Sequence, residues 1–200
     1  AHVTTVFEVD MTVVVTHHQE HKAQFEDAGS RLTLTPYFVV ACAAALRAHP
    51  IVNSTLLEDK IVPKEEVNIG VAVSLGEEGL IVPVINNAAA KSLGETTREL
   101  NDLVTRARAR QLQPEEVQDG TFTITNHGVS GSLLATAIIN QPQCAIMGVG
   151  AVQKRPMAAH DAVVVRSMAY LTLTFDHRII DGAIADMFMA KVKTVLENWA

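Results

Sequence analysis

The most regular pattern of apolar and polar positions lies near the carboxyl-terminal end of the chain. Residues 168–175 alternate between hydroxyl-bearing side chains on one face and large apolar ones on the other, which predicts a β-strand. After residue 182, apolar residues recur at helical spacing as far as Trp199, which predicts an amphipathic helix. Asp181 is a favourable N-cap for that helix. The segment 175–182, Phe-Asp-His-Arg-Ile-Ile-Asp-Gly, is therefore expected to join a strand to a helix.

The first half of the chain predicts a mixture of strands, hairpins and helices. Residues 3–15, rich in Val and Thr, indicate one or two strands, and Thr16 is expected to cap a helix from residue 17 to about residue 28. Thr35, as the cap, and Pro36 indicate the start of a second helix, which is apolar on nearly all sides and therefore expected to be buried. Residues 53–62 are predicted to form a short hairpin or a bent strand, and residues 67–85 a hairpin.

The second half of the chain begins with a capping box at Ser92, which predicts a helix that runs to about residue 111, and Pro114 begins a further short turn of helix. The predicted strands that follow are residues 121–125, 145–152, 163–166 and 168–175. The last two strands are expected to pair with each other in antiparallel fashion. The sequence therefore predicts a single α/β domain of the α+β type, with a mixed sheet flanked by helices.

Composition and charge narrow the class of protein. Of the 200 residues, 48% are hydrophobic and 19% are charged, which is typical of a globular domain. No apolar run approaches the ~20 residues needed to span a bilayer. The net charge of −6 argues against a nucleic acid or an anionic membrane as a partner. Cys42 and Cys144 lie far apart in apolar surroundings and are expected to be buried free thiols in a reducing compartment.

His17 and His21 raise the question of a metal site. They are four positions apart on a predicted helix, a spacing at which two histidines on one face can bind zinc. No cysteine or third ligand lies near them in the sequence, and the intervening residues are polar or charged. We therefore expect a solvated helix face and no metal site.

His177 is the candidate for chemistry. It lies on the predicted connection between a strand and a helix, where a rigid scaffold often presents catalytic groups. Histidine has an ordinary pKa of about 6.5, which suits proton transfer near neutral pH. The alternative is a surface histidine without a catalytic role, and the spacing alone does not separate the two.

Longer motifs resemble those of a known family. Residues 175–182 resemble the signature of the catalytic domain of dihydrolipoamide acyltransferases, the core subunits of 2-oxo acid dehydrogenase complexes. Residues 120–132 resemble a second motif of that family, residues 138–156 a third, and residues 2–4 its first strand. The His-x-x-x-Asp-Gly element alone is shared with chloramphenicol acetyltransferase and with peptide-synthetase condensation domains. The motifs together cover essentially the whole chain in order.

This resemblance implies a chloramphenicol-acetyltransferase-like fold, with residues 1–200 forming one acyltransferase core domain. It also implies homotrimers that build a 24-mer or a 60-mer, with the active site in a channel between neighbouring subunits. The basic amino-terminal arm, the lipoyl domain and the subunit-binding domain of the family are expected to lie upstream of Ala1. The implied partners are a lipoyl domain and the decarboxylase and dihydrolipoamide dehydrogenase components. The implied location is the cytoplasm, or the mitochondrial matrix in a eukaryote.

The reaction implied by the resemblance transfers an acyl group from a dihydrolipoyl thiol, carried on a separate domain, to coenzyme A. His177 is expected to be the base that takes the proton from coenzyme A, because the thiolate is the nucleophile. Thr125 is expected to donate a hydrogen bond to the tetrahedral oxyanion, serving the His177 of a neighbouring subunit. Asp181 is the third expected site residue. It either orients His177 or caps the helix and pairs with an arginine, and we favour the cap.

The acyl group itself is less well determined. Thr-Ile-Thr-Asn at residues 123–126, with the Gly-Ser-Leu that follows, favours the succinyl branch of the family, although the acetyl and branched-chain branches share much of the pattern. A structural core subunit without catalysis is a further alternative. Because such relatives typically lack the signature histidine, His177 favours an enzyme.

Overall fold

The computed structural model describes all 200 residues, which form four α-helices, eleven β-strands and several short 3-10 turns. The helices are α1 (Thr12–Asp27), α2 (Thr35–Ala48), α3 (Leu93–Arg108) and α4 (Gly182–Glu197). The first six strands are β1 (His2–Asp10), β2 (Ser54–Leu57), β3 (Lys60–Pro63), β4 (Ile69–Val71), β5 (Val73–Ser74) and β6 (Leu80–Ile81). The last five are β7 (Val84–Ile85), β8 (Phe122–Asn126), β9 (Ala145–Val149), β10 (Gln153–Ala159) and β11 (Ala162–Asp176). None of the helices has both the length and the apolar character needed to cross a bilayer.

One mixed sheet organises the molecule. Its strands lie in the order β1-β11-β9-β8-β4-β7, and β10 pairs with the first half of β11. Strand β8 is parallel to both of its neighbours, β4 and β9, and every other pair in the sheet is antiparallel. Two small hairpins, β2–β3 and β5–β6, stand apart from this sheet. The predicted single domain with a mixed sheet and flanking helices is confirmed.

The hydrophobic core lies between one face of the sheet and helices α2 and α4. Leu171, Leu173 and Phe175 of β11 are almost completely buried on this face, as their alternation predicts. Full burial of one such side chain contributes about 1.5–3 kcal/mol, so these residues fix which face of β11 turns inward. The opposite face carries hydroxyl groups, and the Thr4 and Thr174 hydroxyls are 2.9 Å apart.

The amino-terminal helix begins earlier than the sequence predicts. Strand β1 ends at Asp10, whose carboxylate accepts a hydrogen bond of 2.9 Å from the backbone N–H of Thr12 at the start of α1. The predicted cap, Thr16, lies inside the helix and donates to the Thr12 carbonyl. Residues 13–15 are β-branched and favour a strand locally, but packing against the core overrides that preference. The cap predicted at Thr35 is also wrong, because Thr35 is already helical and Leu34 precedes it.

The predicted pair of strands at residues 163–166 and 168–175 is a single strand. Strand β11 runs through 15 residues, and its first half pairs with β10 across a tight turn at His160 and Asp161. Both turn residues have positive φ angles, of 50° and 60°, as this type of hairpin requires. Its second half lies between β1 and β9. Strand β10 was not predicted because it contains Pro156 and lacks a clear alternation of apolar residues.

Several local predictions are confirmed. Both predicted hairpins form. The second is interrupted around Pro83, so that β5 and β6, next to its turn, pair with each other, whereas β4 and β7, farther from the turn, join the main sheet. The Ser92 capping box is complete, and a 3-10 turn begins at Pro114. Arg106, near the end of α3, forms ion pairs with Asp102 and Glu116, so this guanidinium is engaged within the chain.

Candidate active site

His177 is the first residue after β11 and belongs to the connection that leads into α4. Its backbone N–H donates a hydrogen bond of 2.8 Å to the carbonyl oxygen of Ala1. The side chain is exposed, and its ring lies 5.8 Å from the Phe175 ring, centre to centre. The backbone of His177 is therefore held by the sheet, whereas its imidazole is free to meet a substrate.

Asp176 fixes the turn that presents His177. The Asp176 N–H donates to the Cys144 carbonyl, which ties the turn to β9. Its carboxylate accepts from the Arg178 backbone N–H at 3.0 Å and from the Arg178 guanidinium at 2.6 Å. The Arg178 guanidinium lowers the pKa of the Asp176 carboxyl to about 2. This role of Asp176 is not predicted from the sequence, although an acidic and a basic residue on either side of His177 are a usable signal.

Asp181 is the N-cap of α4. Its carboxylate accepts a hydrogen bond of 2.9 Å from the Ile184 backbone N–H. The predicted cap is confirmed, and no hydrogen bond joins Asp181 to His177 within the chain. Arg178, the one arginine of this turn, pairs with Asp176 rather than with Asp181. In the single chain, Asp181 therefore supports the helix that follows His177.

Replacing Asp181 with alanine should lower the free energy of unfolding by about 1 kcal/mol, because an N-cap acceptor is lost. Asn is nearly as good a cap, so Asp181→Asn should retain most of the stability. Urea unfolding followed by circular dichroism measures both variants. Equal stability of Asp181→Ala and the wild type would show that the cap contributes nothing.

Thr125 lies near the end of β8 and is partly exposed. Thr123, two residues earlier on the same strand, donates to the Gln143 side chain at 2.7 Å, whereas the Thr125 hydroxyl makes no hydrogen bond within the chain. Thr125 is in register with Gly148 of β9 and, through it, with Thr172 of β11. Its hydroxyl is free to bind a ligand.

Thr125 and His177 do not meet within one chain. From the register, His177 lies five residues further along β11 than Thr172, and two strand spacings separate β11 from β8. These offsets correspond to about 17 Å along the strands and about 10 Å across them. Reacting groups must come within about 3–3.5 Å. The two groups can therefore share a substrate only if a second copy of the chain supplies one of them.

The surroundings of Thr125 are closely packed backbone and neutral side chains. A Cβ atom at Gly148 would lie 3.3 Å from the His127 Nε2 and 2.5 Å from the Thr172 hydroxyl, which donates to the Ala135 carbonyl. Neither ring nitrogen of His127 has a hydrogen-bond partner. Burial lowers the pKa of His127, and the nearby Ser132 carbonyl opposes this change only in part. No role for His127 is predicted from the sequence.

The loop that covers this end of β9 depends on a glycine. A Cβ atom at Gly150 would overlap the carbonyl oxygen of Leu133. Since backbone cannot swing away as a flexible side chain can, Gly150→Ala should displace the loop and lower the free energy of unfolding by about 3 kcal/mol. Gly182→Ala is the matched control, because its added methyl group meets no atom within 4 Å. Thermal unfolding distinguishes the two, and equal losses would contradict the close packing at Gly150.

One cavity of the single chain is lined by neither His177 nor Thr125. That cavity, of about 470 Å³, lies at the opposite end of β8 from Thr125 and is lined mainly by polar side chains such as Asn68, Asp119 and Thr121. A site shared between copies is not enclosed in one copy, so its groups are expected to be exposed in the single chain. No group of three or more His, Cys, Asp or Glu side chains is placed to hold a metal ion.

His17 and His21, the two histidines considered as metal ligands, are packed against each other. Their rings are stacked with centres 4.0 Å apart, the His17 Nδ1 lies 2.7 Å from the Tyr37 hydroxyl, and the His21 Nδ1 bonds to the His17 carbonyl. Cys42 and Cys144 are both buried free thiols, as predicted.

Curated proteins of similar sequence carry names that agree with the motifs. The chain is 44% identical over 200 residues to the dihydrolipoyllysine-residue succinyltransferase component of the 2-oxoglutarate dehydrogenase complex of Azotobacter vinelandii, covering 99% of this chain and 50% of that protein. It is 43% identical over 208 residues to the acetyltransferase component of the pyruvate dehydrogenase complex of Mycobacterium bovis, covering 100% of this chain and 37% of that protein. The chain thus spans at most about half the length of these relatives.

Solved structures agree on the fold. The dihydrolipoamide acetyltransferase of Azotobacter vinelandii superposes with a TM-score of 0.95 at 35% identity, covering 99% of this chain and 82% of that one. A chloramphenicol acetyltransferase superposes with a TM-score of 0.66 at 17% identity, covering 98% of this chain and 88% of that one, which shows the shared fold alone.

One family of proteins matches the chain over its whole length. Residues 1–200 match the family described as 2-oxoacid dehydrogenases acyltransferase (catalytic domain). With the His177 turn, the Thr125 strand end and the mixed sheet in the arrangement described above, the chain belongs to the family of 2-oxoacid dehydrogenase acyltransferase catalytic domains.

Proposed function

We propose that this domain transfers an acyl group from a dihydrolipoyl thioester to coenzyme A, as the core of a 2-oxo acid dehydrogenase complex. The observation that carries the proposal is His177. Its backbone is tied to Ala1 and to the Asp176 turn, while its imidazole is exposed and unbonded. A base on a rigid turn is what thiol activation requires, since a free thiol with a pKa near 8.5 is mostly protonated at neutral pH.

In the proposed reaction, His177 transfers the proton and Thr125 stabilises the oxyanion. The His177 imidazole takes the proton from the coenzyme A thiol, and the resulting thiolate attacks the carbonyl carbon of the acyl-dihydrolipoyl thioester. The tetrahedral oxyanion accepts a hydrogen bond from the Thr125 hydroxyl. Collapse of this intermediate breaks the bond to the dihydrolipoyl sulfur, which recovers the proton from the His177 imidazolium. The coenzyme A thiol is a substrate and the dihydrolipoyl thiol is a product, and no acyl group is bound to the protein at any step.

The site must be built from two copies of the chain. Because about 17 Å along the strands separates the two groups within one copy, Thr125 of one copy has to serve His177 of another. A homotrimer satisfies this pairing for every copy, since a closed ring gives each subunit one neighbour on each side. Trimers that associate into a 24-mer or a 60-mer, with lipoyl domains, decarboxylase and dihydrolipoamide dehydrogenase as partners, are part of the same proposal.

A relative supports the choice of residues. The structure of the Azotobacter vinelandii acetyltransferase was determined to investigate the catalytic role of a serine, a histidine and an asparagine. In that enzyme the serine lies 52 positions before the histidine and the asparagine four positions after it. Thr125, His177 and Asp181 have the same separations. Threonine keeps the hydroxyl of serine, and aspartate keeps an oxygen that caps the helix.

The identity of the acyl group is the finer part of the proposal. The motifs at residues 123–126 and 131–133 favour succinyl, and the succinyltransferase relative is 44% identical. The acetyltransferase relative is nearly as similar, at 43%. Similarity to these relatives therefore does not decide between the donors, and the chemistry of the site has to.

An acyl-transfer assay tests the function directly. The purified protein is supplied with succinyl, acetyl and isobutyryl thioesters of dihydrolipoamide, and formation of the coenzyme A thioester is followed by mass spectrometry. We expect turnover with at least one donor, dependent on both the donor and coenzyme A. The absence of turnover with all three donors, from a protein of trimeric or larger mass, would contradict the proposal.

A further inference from the structure

The backbone of His127 is fixed at the end of the strand that carries Thr125. His127 is the first residue after β8, and its N–H donates to the Val149 carbonyl at 3.2 Å, which continues the pairing of β8 with β9. Its carbonyl accepts a hydrogen bond of 3.2 Å from the Ser130 N–H. The backbone therefore determines where the imidazole lies, and the side-chain torsions alone remain free to redirect it.

The His127 ring packs over Gly148, where a larger residue would displace it. A Cβ atom at Gly148 would lie 3.3 Å from the His127 Nε2. Thr125 is the register partner of Gly148 on the neighbouring strand. Side chains of register partners point to the same face of a sheet, about 5 Å apart. The His127 Nε2 and the Thr125 side chain therefore lie on either side of one point on the same sheet face.

Neither of these two groups has a partner within the chain. Both ring nitrogens of His127 are buried without a hydrogen bond, and the Thr125 hydroxyl also makes none. Burial lowers the pKa of His127, so the neutral ring, with one N–H donor and one acceptor, predominates at pH 7. A buried donor that stays unpaired is unfavourable. Of the two hydroxyls beside Gly148, that of Thr172 already donates to the Ala135 carbonyl, whereas that of Thr125 is unbonded.

The proposed role of Thr125 requires a hydroxyl that points in one direction. A threonine hydroxyl turns about its Cβ–Oγ bond, and an oxyanion donor is effective when it is oriented before the charge develops. The oxygen has two acceptor lone pairs besides its one hydrogen. A neighbouring N–H that donates to this oxygen therefore leaves the hydrogen free for the oxyanion.

We infer that His127 is a positioning residue for the oxyanion donor, with its ring N–H donating to the Thr125 hydroxyl oxygen in the assembled site. Rotation of the two side chains joins them without movement of the backbone. The bond directs the hydroxyl hydrogen toward the acyl carbonyl, and it also strengthens the hydrogen bond that the hydroxyl donates, because linked hydrogen bonds polarise one another. This inference rests on the proposed function, since His127 acts only through Thr125.

A pair of variants at His127 separates the hydrogen bond from packing. His127→Leu is close in volume and has no donor, whereas His127→Gln keeps an N–H at a similar reach. We expect the Leu variant to lower kcat by about three- to tenfold, the factor that one neutral hydrogen bond contributes, with the KM for coenzyme A unchanged within about twofold. The Gln variant should retain kcat within about twofold. Wild-type kcat in the Leu variant, or an equal loss in both variants, overturns the inference.

Combining these changes with substitutions at Thr125 tests whether His127 acts through the hydroxyl. In a Thr125→Ala background, His127→Leu should change the single-turnover rate by less than about twofold, because no hydroxyl is left to orient. In a Thr125→Ser background the three- to tenfold loss should persist. The same loss in the Ala background overturns the inference and leaves the roles of His177 and Thr125 intact. No transfer by the wild type with any donor overturns the proposed function, and the inference with it.

Discussion

Replacing His177 with alanine is expected to lower kcat for acyl transfer by about 10²–10⁴-fold, because that is the usual contribution of a positioned general base. The fold should survive, since the His177 side chain is exposed and its structural hydrogen bond is made by the backbone. The measurement is steady-state transfer to coenzyme A, together with native mass and circular dichroism.

His160→Asn is a matched control for the His177 variant. His160 lies on the β10–β11 turn with a φ of 50°, a conformation that asparagine tolerates well. Its replacement should leave kcat unchanged, which excludes a general effect of removing one imidazole. Turnover of His177→Ala within a few-fold of the wild type would remove His177 from the role of base.

The second large effect is expected at Thr125. Thr125→Ala should lower kcat by about 10²–10³-fold, as loss of one oxyanion donor does in other enzymes, with little change in KM for coenzyme A. The hydroxyl is lost from a position where it makes no hydrogen bond within the chain, so stability should change by less than about 1 kcal/mol. Measuring both kcat and the midpoint of unfolding for Thr125→Ala separates a loss of catalysis from a loss of stability.

Thr125→Ser provides the control for Thr125→Ala. Serine keeps the donor and loses only a methyl group, so most of the wild-type kcat should remain. If serine and alanine at position 125 are equally impaired, the methyl group matters rather than the hydroxyl, and the oxyanion assignment is wrong.

Elements whose signals are local were predictable from the sequence. The second half of β11, the Asp181 cap and the helix α4 combine a period-two pattern, a capping residue and a helical pattern within about thirty residues. The complete capping box at Ser92 is of the same kind. In each case the residues that determine the element are neighbours in the chain, so no knowledge of the tertiary fold is needed.

Elements that depend on distant contacts were not predicted correctly. Residues 13–15 favour a strand locally, yet they form the first turn of α1, where Met11 donates to the Ser167 carbonyl far along the chain. The pairing of β10 with β11 depends on a turn of two non-glycine residues with positive φ, a conformation for which the sequence gives only a weak signal.

The site shows the same division. His177 was identifiable because it lies between a strand pattern and a helix cap. The contacts around Asp176 and His127 were not, because they arise where Cys144, just before β9, and Gly148 of β9 come alongside. The separation of Thr125 from His177 within one copy also required the strand register. Because the register shows that Thr125 and His177 are far apart in one copy, it indicates a site that is shared between copies.

The most direct measurement mixes two inactive variants. Copies carrying His177→Ala and copies carrying Thr125→Ala are co-expressed, and assemblies that contain both are isolated through two different affinity tags. In a trimer that contains both variants, one site in three combines an intact His177 from one copy with an intact Thr125 from another, and in a larger assembly of randomly mixed trimers about one site in four does. We predict that acyl transfer returns to about a third of the wild-type rate in mixed trimers, or about a quarter in a larger assembly. Mixed assemblies as inactive as the parent variants would contradict a catalytic site shared between copies.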